Sequence, residues 1–204
     1  PAVIFDIGGG STELVLIEPG GPAPRILDWQ SVPWGVVSLT ETVSGDESSE
    51  EARVRRYAEM RRRVAESFAS FAERISPWQT EGLRLLGTSG TVTTLASVHL
   101  DLPQYDRRAV DGLIVPSEAM RGIALRLSSM APEERRTLPC IGQERADLVI
   151  AGCAILEAIL DIWPATRLGV ADRGIREGIL RNLITADASG TQTQAALRRL
   201  RQGE

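Results

Sequence analysis

The hydrophobic pattern of this chain changes period several times, and its first change is the sharpest. An apolar run, Ala2 to Phe5, ends in Asp6. Gly8, Gly9 and Gly10 follow, then Ser11, Thr12 and Glu13, and then a second apolar run from Leu14 to Ile17. Two short apolar runs around a glycine cluster predict strand, turn, strand. Gly20 to Pro24 is a second turn, and Arg25 to Trp34 reads as a third strand with Ile26, Trp29 and Val32 as its apolar positions. Short connections between successive strands predict an antiparallel meander. Gly35 to Thr42 is ambiguous, because Val36, Val37 and Leu39 could extend a strand. Beyond Gly45 the period becomes helical. Val54, Tyr57, Ala58, Val64, Ala65, Phe68, Phe71, Ala72 and Ile75 fall on one stripe. Ser48 with Glu51 three residues on reads as a capping box, and Ser76-Pro77 stops the helix.

Leu83 to Leu86 reads as a buried strand. It runs into Gly87, Thr88, Ser89, Gly90 and Thr91, and then into a helix with Val92, Leu95 and Ala96 on one face. His99 lies seven residues after Val92, on the apolar side, where a satisfied core histidine is a better reading than a catalytic one. Leu100 to Pro116 is a connector without assigned structure. Ser117 opens a helix with Met120, Ile123, Ala124 and Leu127 inward, and a short helical turn, 133–138, lies between Pro132 and Pro139. A longer helix is expected from Gln143 to Trp163, with Arg145 and Asp147 in its first turn and Gly152 inside it. There Gly costs about 1 kcal/mol against Ala, so it is expected to let another element pack close. Arg167 to Ala171 reads as the last strand, followed by a turn into a final helix ending at Ile184. This order predicts an α/β, ribonuclease-H-like domain over 1–185, with a mixed five-stranded sheet flanked by helices, and a tail or linker over 186–204.

Charge narrows the chemistry. All 23 basic residues are arginine. Without lysine there is no P-loop, protein-kinase or Schiff-base lysine. The one histidine excludes histidine-rich metal sites, and the net charge of −4 argues against nucleic acid as a partner. Arg53, Arg56, Arg62, Arg63 and Arg74 share the outer face of the long helix, but Glu50, Glu51, Glu59, Glu66 and Glu73 are interspersed, so a solvated face is the better reading. Cys140 and Cys153 make no metal-site spacing and read as buried thiols. No apolar run approaches the roughly 18 residues of a membrane span. No signal peptide is seen, so a cytoplasmic location is expected.

The glycine turns carry the candidate chemistry. A glycine turn can offer several N–H groups to an anion. A strand that turns through glycine into a helix N-terminus does the same. A carboxylate, Asp6, beside such a cradle needs a cation or a polarised water between them, which suggests phosphoryl chemistry. Arg145 with Asp147, and Arg176 with Glu177, read either as surface ion pairs or as substrate contacts.

Asp6-Ile-Gly-Gly-Gly-Ser-Thr-Glu-Leu14 resembles the second phosphate-binding loop of the exopolyphosphatase / guanosine pentaphosphate phosphatase (Ppx/GppA) family. Leu86 to Thr91, Glu144 to Gly152 and Asp172 to Leu180 resemble later family stretches, in the family's order. The resemblance covers most of the chain. It implies hydrolysis of a terminal phosphoanhydride of polyphosphate or guanosine pentaphosphate. It implies Mg²⁺ or its water at Asp6, with Glu13 helping to hold the ion. Gly8, Gly9, Gly10, Ser11, Thr12, Gly87, Thr88, Ser89, Gly90, Thr91, Arg145 and Arg176 would contact phosphate. It also implies an N-terminal domain with the catalytic glutamate, which this chain is expected to lack; the chain alone is then expected to be inactive. A homodimer is consistent with the resemblance, and no membrane partner is expected. A non-hydrolytic sensor of guanosine tetra- or pentaphosphate, or a small-substrate kinase of the same superfamily, would need similar loops.

Overall fold

The computed structural model describes residues 1–20, 24–80, 82–143 and 145–172. In chain order the elements are β1 Ala2–Ile7, β2 Thr12–Glu18, β3 Arg25–Val32, α1 Val36–Thr42, α2 Glu50–Ile75, β4 Arg84–Thr88 and α3 Gly90–His99. Then come α4 Arg107–Val110, β5 Ile114–Pro116, α5 Ser117–Ser129, α6 Pro132–Arg136, α7 Val149–Ile162 and β6 Arg167–Ala171. The sheet order is β3-β2-β1-β4-β6-β5. The meander β1–β2–β3 is antiparallel, and β4 and β6 add in parallel beside β1. The sheet has six strands rather than five. The extra one, β5, pairs antiparallel with β6 at the edge. It is three residues long and ends in Pro116, too short for periodicity to reveal and placed where a missing N–H does no harm.

One face of the sheet buries Val3, Phe5 and Ile7, with Leu14, Leu16, Leu85, Leu168 and Val170 from neighbouring strands. In α2, Tyr57, Met60, Val64, Phe68, Phe71 and Ile75 are buried at steps of three or four residues. Val54, Ala58 and Ala65 are exposed, so the true stripe includes Met60 and turns away from them. Helix α7 is buried on all sides from Val149 to Leu160, as a central helix must be. It crosses α3 at Gly152: a Cβ there would sit 2.6 Å from Thr91 Cγ2, so only glycine permits the approach.

Several local expectations change for identifiable reasons. Residues 36–42 form α1, not a strand extension. The cap of α2 is Ser49, whose side chain accepts from Ala52 N–H, because Ser48 is occupied by the Asp46 carboxylate. Helix α7 starts at Val149, and Arg145 and Asp147 sit in a hydrogen-bonded turn before it. His99 is exposed, since α3 emerges from the core at its last residue. Cys153 is buried and Cys140 half-buried. Arg176, Glu177, the final helix and the tail lie outside the described residues. No helix among those described is long and apolar enough to cross a membrane.

The arginines of the outer α2 face are all engaged. Arg62 and Arg63 pair with Glu59, whose carboxyl their hydrogen bonds hold down at about 2. Arg74 pairs with Asp28, and Arg53 and Arg56 donate to backbone carbonyls. One further arginine is fully buried. Arg135 of α6 is held by Glu47, in the loop before α2, at 3.1 Å. Removing one member of a buried pair strands the other charge. Glu47→Ala should therefore lower unfolding free energy by about 3–5 kcal/mol in urea titration, and adding Arg135→Met should recover part of it. A loss under about 1 kcal/mol, in the range of an exposed ion pair, would mean the pair is not stabilising in this way.

Candidate phosphate-binding site

The parallel strands β1, β4 and β6 end at one edge of the sheet, and in an open α/β sheet ligands bind beyond those carboxyl ends. The connection after β1 is the glycine turn. The carbonyl of Gly8 accepts from Val36 N–H at 2.9 Å, and that of Gly9 from Val37 N–H at 2.8 Å. The carbonyl of Gly10 accepts from the Ser38 hydroxyl at 3.1 Å. The first turn of α1 thus takes all three carbonyls. None of the peptides is cis, so each N–H points opposite to its neighbouring C=O. The N–H groups of Gly9, Gly10 and Ser11 therefore face away from α1, and among the described residues none of them has an acceptor.

Two contacts fix this arrangement. A Cβ on Gly35 would lie 2.4 Å from the Gly9 carbonyl group, so only glycine brings α1 this close. Thr12, fully buried, donates its hydroxyl to the Trp34 carbonyl at 2.7 Å and ties the hairpin to the segment before α1.

The second turn joins β4 to α3. Ser89 adopts φ 75° and ψ −177°, a region that is essentially glycine-only and costs about 1–3 kcal/mol. Its hydroxyl donates to the Ile7 carbonyl at 2.9 Å, which holds the bend against the end of β1. No side chain caps α3, so its first N–H groups have no intrahelical partner and the positive end of its dipole is open. Arg145 stands opposite, its Nη1 donating to the Thr94 hydroxyl at 3.3 Å. Asp147 pairs with Arg136 instead, which separates Arg145 from the ion pair considered above. Gly8, Gly9, Ser89, Gly90, Thr91 and Arg145 all line one cleft of about 290 Å³.

Asp6 lies in a row across the sheet, Ser31–Glu13–Asp6–Thr88, set by strand register. Register partners point to the same face, so Asp6 and Glu13 are adjacent carboxylates. Glu13 Oε1 accepts from the hydroxyls of Ser11 at 2.7 Å and Ser31 at 2.9 Å. Asp6 is half-buried, and no hydrogen bond reaches its carboxylate among the described residues. No group of three or more His, Cys, Asp or Glu side chains is placed to hold a metal among those residues. Two carboxylates suit Mg²⁺, which keeps waters and substrate oxygens in its remaining positions.

The remaining expected residues do not line the cleft. Gly10, exposed, and Ser11, half-buried, form the tip of the first turn, and their N–H groups continue the row begun by Gly9. Gly87 is under Phe5 and Val92, where a Cβ would meet the Phe5 ring at 2.6 Å. Thr88 is buried and donates to the Phe5 carbonyl at 3.2 Å, and neither it nor Thr12 reaches the cleft. Sequence reasoning missed Gly35 and Ser38, which set the first turn. It also missed a second cavity, of about 340 Å³, that shares Gly90 and Arg145 with the first and adds Gln104, Tyr105 and Asp172.

The fold is a ribonuclease-H-like α/β domain, with two glycine-containing turns meeting at one cleft. The chain belongs to the Ppx/GppA phosphatase family, whose model matches residues 1–186. It is 29% identical over 192 residues to Exopolyphosphatase 2 of Mycobacterium tuberculosis, covering 90% of this chain and 56% of that protein. It is 27% identical over 182 residues to the Guanosine-5'-triphosphate,3'-diphosphate pyrophosphatase of Aeromonas hydrophila, covering 89% of this chain and 34% of that one. The crystal structure of the type II variant of the Aquifex aeolicus Ppx/GppA phosphatase superposes with a TM-score of 0.68 at 28% identity, over 88% of this chain and 55% of that one. That of an exopolyphosphatase-like protein gives 0.77 at 25%, over 90% and 59%. The chain therefore spans between 34% and 59% of these relatives' own lengths.

The close approach at Gly35 is testable. Gly35→Ala should displace the first turn and weaken tripolyphosphate binding at least tenfold in calorimetry. Gly122→Ala, in α5 with open space around it, should leave binding unchanged and stabilise by up to about 1 kcal/mol. Unchanged binding in Gly35→Ala would contradict the role given to α1.

Proposed function

We propose that this chain is the phosphate-gripping half of a phosphoanhydride hydrolase. Its substrate is the terminal phosphoryl group of inorganic polyphosphate or of guanosine pentaphosphate. The observation that carries this reading is the meeting of the first glycine turn, the uncapped start of α3 and Arg145 around one cleft. Phosphoryl transfer is mostly positioning and neutralisation of charge on phosphate oxygens. The N–H groups of Gly9, Gly10, Ser11 and Gly90 supply fixed donors, and Arg145 supplies the mobile cation. Asp6 and Glu13 would hold Mg²⁺, which supplies charge neutralisation and orients a water. Among the described residues that line the cleft there is no carboxylate. We assign the water-activating base to a part of the relatives that this chain does not span, so hydrolysis needs both halves.

The test is phosphate release from both substrates by the two-domain protein. Asp6→Asn should lower kcat by about 100-fold or more, and Arg145→Ala should lower kcat/KM by roughly 10- to 1000-fold. Chelation with EDTA should abolish turnover, and Mg²⁺ should restore it. Wild-type turnover in Asp6→Asn, or turnover in EDTA, would contradict the metal assignment. Saturable binding of guanosine pentaphosphate without phosphate release would instead identify a sensor.

A further inference from the structure

The second cavity adjoins the phosphate cleft through the shared Gly90 and Arg145, and its volume of about 340 Å³ falls among small-molecule sites of roughly 300–1,000 Å³. Its chemistry differs from the cleft's. Arg145 is the only cation among its described lining residues, and Asp172 contributes a carboxylate. Arg107, nearby, is committed to that carboxylate, with its Nε 2.8 Å from Oδ2 and its Nη2 donating to the Asp172 carbonyl at 2.8 Å. With Asp172 already paired to Arg107, Arg145 is the one charge left for a ligand among the described lining residues, too little for a run of further phosphates but no bar to an uncharged ring.

The wall offers a surface for such a ring. Tyr105 is 43% exposed, and its hydroxyl faces the Asp172 carboxylate and Thr93. Burial first, and then Asp172, push its phenol above the usual range, so it stays a neutral donor. An aromatic side chain with only two torsions has little conformational freedom to lose when a ligand stacks on it. Pro139 and Ile141 add apolar wall, and Gln104 at the exposed rim carries an amide that can both donate to and accept from a base edge.

We infer that this second cavity takes the purine nucleoside of a guanosine polyphosphate, with the base stacked on Tyr105 while the phosphates lie in the adjoining cleft. This rests on the phosphate-gripping reading above and narrows it: Tyr105 is a specificity-determining residue that separates guanosine pentaphosphate from inorganic polyphosphate.

The experiment measures kcat/KM and equilibrium binding of the full-length protein with guanosine 5′-triphosphate 3′-diphosphate and, side by side, with long-chain polyphosphate. Tyr105→Ala should weaken the guanosine compound roughly ten- to a hundredfold, the range for losing one stacked base, and change polyphosphate by less than about twofold. Tyr105→Phe keeps the ring and should keep most of the discrimination. Gln104→Trp, a substitution on the exposed rim, should fill the cavity and reproduce the selective loss even if Tyr105→Ala fails to fold. Equal losses on both substrates, or no loss on either, would overturn the inference. Wild-type binding of polyphosphate with none of the guanosine compound would overturn it while leaving the phosphate reading standing. Binding of neither would sink both.

Discussion

The site depends on how three carbonyl groups are occupied. Gly8, Gly9 and Gly10 give their carbonyl oxygens to the first turn of α1. Peptide planarity then turns the following N–H groups outward. A helix start that usually attracts an anion is used here to orient a loop, and the loop's own N–H groups are left open. Glycine at position 35 is the steric condition for this.

The other parts follow from topology. Parallel β1 and β4 end side by side, so the Ser89 hydroxyl can reach the Ile7 carbonyl and lock the second bend to the first. The unfavourable backbone at Ser89 is stored where α3 must start abruptly. Thr91 and Gly152 bring α7 against α3, which sets the preceding turn and Arg145 across from the bends. The two carboxylates Asp6 and Glu13 stand side by side because register pairs them.

Much of this was legible from residue order alone. Glycines between apolar runs announced the hairpin and the β4–α3 bend, since backbone needs there are local. What was illegible depended on contacts between distant segments. Val36 and Val37 look like strand residues, and only the carbonyls of Gly8 and Gly9 make them a helix start. Thr12 and Thr88 lie in the right stretches, but strand alternation and burial spend their hydroxyls on backbone carbonyls. His99 followed the periodicity of α3 but not its exit from the core. Tyr105 and Asp172 are far apart in sequence and carry no signal until the fold joins them.

The most direct measurement is an amide NMR titration of this chain with tripolyphosphate. The N–H resonances of Gly9, Gly10, Ser11 and Gly90 should shift together and saturate at one affinity. Resonances of Gly9, Gly10 and Ser11 that stay fixed while the ligand binds elsewhere would contradict the outward-facing turn.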